Sequence, residues 1–291
     1  MNKSLIIILV FALFCCGCST AGVAYRHGDW YLQHKINGYT TFNSRQKETI
    51  RQEVSNYMLW HHKEALPEYI IFLQNLNGVA QYDGPLQVEE SAQLRNHLHS
   101  LYIKTLMPAI PPTAKLLSDL DNMQIHGLDR TFAEDIQRQK EELLDGNHDE
   151  ALDRRASKTI DFLEWLAGNL SSEQEHRVRE MSRRLPFVSH IIIQHREANQ
   201  GRLIALLNGH ADQERIAEFL SSWVLTPDAT RTPQQQRIIH SFEIASDEMV
   251  AQIHGLLTEQ QKEHMNKMIK SYIEDMRSLT TDMIASSATS R

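Results

Sequence analysis

Cysteine is nearly missing from this chain. Its three copies, Cys15, Cys16 and Cys18, crowd into the first eighteen of 291 residues. A body without a cysteine pair cannot rely on disulfides. Glycine (12) and proline (8) are also scarce, which excludes a collagen-like repeat and a glycine-rich disordered chain. Cations are in deficit, 30 Lys and Arg against 37 Asp and Glu, for a formal net charge of −7. That balance lacks the basic footprint of a nucleic-acid binder, so no nucleic-acid partner is expected. No run of alternating residues is long enough for a convincing strand. Ile191-Ile192-Ile193 comes nearest, and its neighbours are helix formers.

What is present at the start is an address. One lysine, Lys3, precedes the apolar residues 5–14. That run is shorter than the roughly 20 residues a membrane-spanning helix needs, and it reads as a secretory signal. Gly17-Cys18-Ser19 resembles a bacterial lipobox, with a small residue before the cysteine that receives lipid. Residues 1–17 are then a lipoprotein signal peptide and residues 18–24 a short tether. Residues 25–285 form a single α-helical domain, and residues 286–291 a fraying tail. Palmitate or a similar acyl group on Cys18 is the implied membrane partner, because the acidic body has no attraction for anionic headgroups. Ser19 in place of Asp implies sorting to the outer membrane, with the body in the periplasm. Tyr25, Trp30 and Tyr31 open the folded part. They are expected to pack on the first helices; the alternative is a place at the headgroup layer.

Beyond Thr41 the apolar spacing is helical almost throughout. Leu66, Tyr69, Ile70, Leu73 and Leu76 make one stripe, Ile160, Leu163, Leu166 and Ala167 another, and Met265, Met268, Ile269, Tyr272 and Met276 a third. The expectation is an all-α bundle or elongated array of about eight to ten helices. Asp83-Gly84-Pro85 and Asp145-Gly146-Asn147 mark turns. Pro108 to Pro112 should end one helix and start another, and Pro67 should kink or break its own. A short motif recurs after an apolar residue: Asn43-x-x-Gln46, Ser171-x-x-Gln174 and Thr258-x-x-Gln261, with Thr232-x-x-Gln235 as a weaker copy. It resembles the Leu-Thr-x-x-Gln signature of small periplasmic stress chaperones. A capping box at each helix start accounts for the same residues.

Chemistry-bearing patterns are sparse. His61-His62-Lys63-Glu64 is the densest histidine cluster, but its adjacent histidines lie about 100° apart on a regular helix and are not H-E-x-x-H. Glu173-x-x-His176 is a single E-x-x-H step, where a di-iron bundle needs two. No G-x-S-x-G elbow, S-x-x-K set or phosphate-cradling loop occurs. The chain reads as no enzyme, with no cofactor and no metal site. An enzyme acting on an envelope substrate stands as a distant alternative, since convergent carboxylates leave no spacing signal.

One segment is more distinctive than its composition. Tyr25, Asp29-Trp30 and Tyr39 precede Trp60-His61-His62-Lys63-Glu64-Ala65-Leu66-Pro67-Glu68-Tyr69. With the Gly-Cys pair, these residues resemble the domain-of-unknown-function 6279 family of bacterial lipoproteins. The similarity runs on more loosely through Phe132, Trp165, Gly168, Leu170, Gln174, Arg196, Gln200, Leu203 and Leu207. The resemblance implies an envelope location and an α-helical body, with no assigned activity. Within the 60–69 element, Trp60, His61, Lys63, Glu64, Pro67 and Tyr69 admit two readings. One is a polar-aromatic joint between helical segments; the other is a contact surface for an envelope protein or a glycan. The functional expectation is a lipid-anchored binding or scaffold protein, with a chaperone-like role as the alternative.

Overall fold

The apolar stripes become helices joined by tight turns. The computed structural model describes Tyr25, residues 27–144 and residues 146–289, with side chains through residue 280; the signal and tether lie outside the described residues. The helices are α1 (Gly28–Asn37), α2 (Ser44–Trp60), α3 (Leu66–Ala80), α4 (Val88–Leu106), α5 (Ile110–Ser118), α6 (Asn122–Leu144), α7 (His148–Ala167), α8 (Ser172–Arg184), α9 (Ser189–Asn208), α10 (Gln213–Leu225), α11 (Pro233–Leu256) and α12 (Glu259–Thr289). A π-helical turn, His61–Ala65, fuses α2 to α3, and a 3-10 turn, Met107–Ala109, fuses α4 to α5. The described residues therefore form ten continuous rods, without a strand. Ile191-Ile192-Ile193 lies within α9, where Ile191 and Ile193 are buried.

Pro108 to Pro112 fall where α4 ends and, after the 3-10 turn, α5 starts, as expected; each proline sits where a tightened turn or a first helical turn has no N–H to lose. Pro67 directly follows the expected short break in α geometry, which takes the form of the π turn. It stands in the first turn of α3, and the backbone before it widens by one residue, with the N–H of Leu66 donating to the carbonyl of His61. A widened turn makes room for the ring and for the hydrogen bond that proline cannot donate. The backbone of α12 is helical to Thr289, past the Ser286 from which fraying is expected.

The core is divided. Five hydrophobic clusters occur among the described residues. The first joins α1, α2, the start of α3, α5 and the end of α12 around Ile50, Val54, Leu66 and Leu279. The second joins α5, α6, α9 and α10 around Ala114, Leu128, Leu203 and Ile216. Val188, Ile191 and Ile239 tie α9 to α11. Ile253 of α11 then meets Ile160 and Val178 of α7 and α8. Trp165 and Leu166 of α7 pack on the α3 and α12 cluster of Leu73, Ile269 and Tyr272. Each cluster shares a helix with the next, so the five close into a circuit. Small cores suit a chain that is 23% charged, because each rod has only a narrow stripe to bury. A fork from Arg95 in α4 to Asp247 in α11 crosses the array, with Nε and Nη2 each 3.0 Å from a carboxylate oxygen. Asp247 is buried, and this paired geometry satisfies its charge.

The recurring motif does more than cap. In Asn43, Ser171, Thr258 and Thr232, the side chain accepts the N–H of the glutamine three residues on, and the glutamine accepts the N–H of the capping residue. Three of these glutamines also meet across the fold. Gln174 and Gln261 donate amide protons to each other's Oε1 at 2.8 and 3.0 Å. Each donates its second proton to the backbone two residues before the other's cap, at Leu256 and Asn169. Gln46 forms the same joint with Gln124, reaching the carbonyls of Asp119 and Thr41. Gln124 belongs to the box Asp121-x-x-Gln124, which the sequence reading passes over. All four boxes in the joints follow an apolar residue: Phe42, Leu120, Leu170 and Leu257. Thr232 follows Arg231, and its half-buried Gln235 reaches Gln194 of α9 at 3.4 Å rather than a second box.

Every amide proton in these joints has an acceptor, which makes a glutamine pair tolerable among packed helices. Two glycines sit beside them. A side chain at Gly127 would meet Thr40 Oγ1, which donates to the carbonyl of Gln124. Gly168, with φ +83, ends α7 just before Leu170 in a conformation that favours glycine. The motif residues are thus accounted for by the joining of helix starts.

Candidate functional site

The 60–69 element lies where α2 meets α3, against α1 and α4. The π turn splits its residues into two sets. His61 is buried, Trp60 and Tyr69 are half-buried, and Lys63, Glu64 and Pro67 are exposed. The inward set stands in an aromatic cluster. The Tyr25 hydroxyl lies 2.6 Å from His61 Nδ1, and His62 meets the Tyr25 ring edge-on at 4.6 Å. His61 also neighbours Tyr69 at 5.4 Å, Tyr57 at 6.0 Å and Trp60 at 6.2 Å between ring centroids. The adjacent histidines therefore converge on one tyrosine. The widened turn helps, because it narrows the 100° step of a regular helix.

The cluster is fastened to α4. Tyr57 donates its hydroxyl to the carbonyl of Thr105 at 3.0 Å, and the hydroxyls of Tyr69 and Thr105 bond each other. Lys104 pairs with Glu68 at 3.1 Å on the surface above. Burial pushes the phenols of Tyr25, Tyr57 and Tyr69 up, so they stay protonated. Burial, and then the neighbouring His62, lower the His61 imidazole to about 4. Burial lowers His62 as well, against the opposing charge of Asp29. A buried imidazole this far from its ordinary range is neutral at physiological pH and serves as a hydrogen-bonding ring.

Tyr25 packs as expected, but Trp30 and Tyr31 do not. Trp30 is 66% exposed and Tyr31 47% exposed, on the outer side of α1. The reason is register: Leu32 and Ile36 take the face of α1 that meets the first cluster, which turns Trp30 and Tyr31 away. Among the described residues no group of three or more His, Cys, Asp or Glu is placed to hold a metal. No helix among them is long and apolar enough to cross a membrane. A polar cavity of about 260 Å³ lies beside the first glutamine joint, lined by Arg45, Lys115 and Asp119 among others, and away from the 60–69 element.

A family model described as a family of unknown function, DUF6279, matches residues 38–229. The chain belongs to that family. Neither a curated protein nor a solved structure matches it. The matched span holds the whole 60–69 element, the first glutamine joint and the Gln174 half of the second. Its other resembling positions are largely structural. Leu170 and Gln174 serve the second joint, Phe132 packs edge-on against Tyr39, and Leu203 and Leu207 fill the second cluster. Arg196 is buried, and its Nη1 finds no acceptor.

Proposed function

We infer that this DUF6279 protein is a lipid-anchored binding or scaffold body of the bacterial outer membrane, facing the periplasm. The observation that supports binding most is the π turn. Such turns interrupt regular helix geometry and gather at functional positions. Here the turn presents Lys63, Glu64 and Pro67 to solvent over a base locked by Tyr25, His61, Tyr57, Tyr69 and Thr105. A rigid base lets an exposed surface bind without first being ordered. Lys63 and Glu64 are then the contact residues, while His61 and Tyr69 hold the platform. The partner is an envelope protein or a glycan. The chaperone reading loses its sequence support, because the repeated motif is consumed in joining helix starts.

A photo-crosslinking side chain at Glu64, placed in the native protein in intact envelopes, tests this reading. One reproducible partner is expected, and a Lys63→Glu variant should lose it while melting at the same temperature. A broad set of unfolded envelope proteins would overturn the reading in favour of a chaperone role.

A further inference from the structure

We propose that the outer face of α1, built from Trp30, Tyr31, His34 and Lys35, seats the protein on the headgroup layer of the bilayer that carries its lipid. This rests on the Cys18 anchor. The helix is sharply two-sided. Asp29, Leu32, Gln33 and Ile36 are half-buried against the body, while Trp30, Tyr31, His34 and Lys35 are exposed. The outward side holds the aromatic rings, the reverse of an ordinary surface helix. Trp30 stacks flat on His34, with centroids 5.3 Å apart and planes 9° apart, and Lys35 Nζ lies 5.6 Å from the Tyr31 ring centre. Exposed apolar side chains elsewhere, such as Ile71 and Met123, belong to other helices. Here two large amphipathic rings stand side by side, the residue types that interfaces between water and lipid favour.

Charge and reach point the same way. The chain carries a net −7, yet this face presents no carboxylate. The acid of α1, Asp29, is turned toward Tyr25 and His62, whose titration it influences. Lys35 and the histidine are left to meet lipid phosphates. Six residues separate Cys18 from Tyr25, a span of at most about 25 Å over seven Cα steps. Tyr25 is fixed to the body through His61, and Trp30 follows five residues later, in the first turn of α1. The occupant of the face is therefore the bilayer itself.

The test uses the full lipoprotein reconstituted in phosphatidylethanolamine–phosphatidylglycerol vesicles, with and without bromine near the glycerol end of the acyl chains. Trp30 is one of four tryptophans, and Trp60, Trp165 and Trp223 are half-buried in the body. Brominated vesicles should remove about a quarter of the emission from the native protein, and far less from Trp30→Phe. The variant should melt at the native temperature, because the indole touches little of the core. Equal quenching of the two proteins, with the lipid verified by mass, overturns the proposal and leaves the anchor standing. A mass without lipid overturns the anchor and this seating with it.

Discussion

Replacing Gln124 with alanine should lower unfolding stability by about 3 kcal/mol, although the residue is far from any charged cluster. The loss has two parts. The capping box is worth about 1 kcal/mol. Gln46 keeps Asp119 and Asn43 but loses its exchange with Gln124, and the Thr41 carbonyl loses the Gln124 amide; these losses add roughly 1–3 kcal/mol. Urea unfolding followed by circular dichroism measures the total. Gln235→Ala is the control, since the half-buried Gln235 caps without a reciprocal glutamine pair, and about 1 kcal/mol is expected there. The double variant Gln46→Ala/Gln124→Ala should cost less than the two single losses together, because the second removal orphans fewer groups. Strict additivity would show that the two glutamines do not act as one joint.

Acidification should destabilise the fold through His61. Its pKa is 6.5 unfolded and about 4 folded, so between these values the unfolded chain binds more protons. Stability then rises with pH in that window, is complete above about 6.5, and falls as the pH drops toward 4. The full shift corresponds to about 3 kcal/mol. His195, also lowered to about 4 chiefly by burial, acts in the same direction but is half-exposed and contributes less. Carboxylates titrate in any variant, so the comparison that matters is His61→Asn. Urea midpoints at pH 7, 5.5 and 4.5 should fall more steeply in the native protein than in the variant. Parallel slopes would mean that His61 is open to water.

The helical class was legible because its evidence is local. Stripes such as Leu66, Tyr69, Ile70 and Leu73 need only a 3.6-residue period, and capping boxes need only three residues of context. Pairing is not local. Gln46 and Gln124 are 78 positions apart, and Gln174 and Gln261 are 87 apart. Among these glutamine boxes, the four that pair with one another follow an apolar residue, and the one that does not follows Arg231. Asp121-x-x-Gln124 was within reach of that rule, with Leu120 before it. Pro67 marked the site of a distortion but not its kind, since a break, a kink and a widened turn all accommodate a proline. Trp30 and Tyr31 were misread because an aromatic residue is presumed to be buried until the helix register is known. The same register that hides Leu32 and Ile36 exposes them. The π turn gives His61 and Tyr69 to the joint and leaves Lys63, Glu64 and Pro67 at the surface.

The N-terminal peptide of the protein purified from native membranes tests the anchored body most directly. Its mass should be that of a chain beginning at Cys18 and carrying a diacylglyceryl group with a further acyl chain, and Cys18→Ala should abolish both cleavage and lipid. A peptide that begins at Met1, or is cut elsewhere and bears no lipid, would contradict the account.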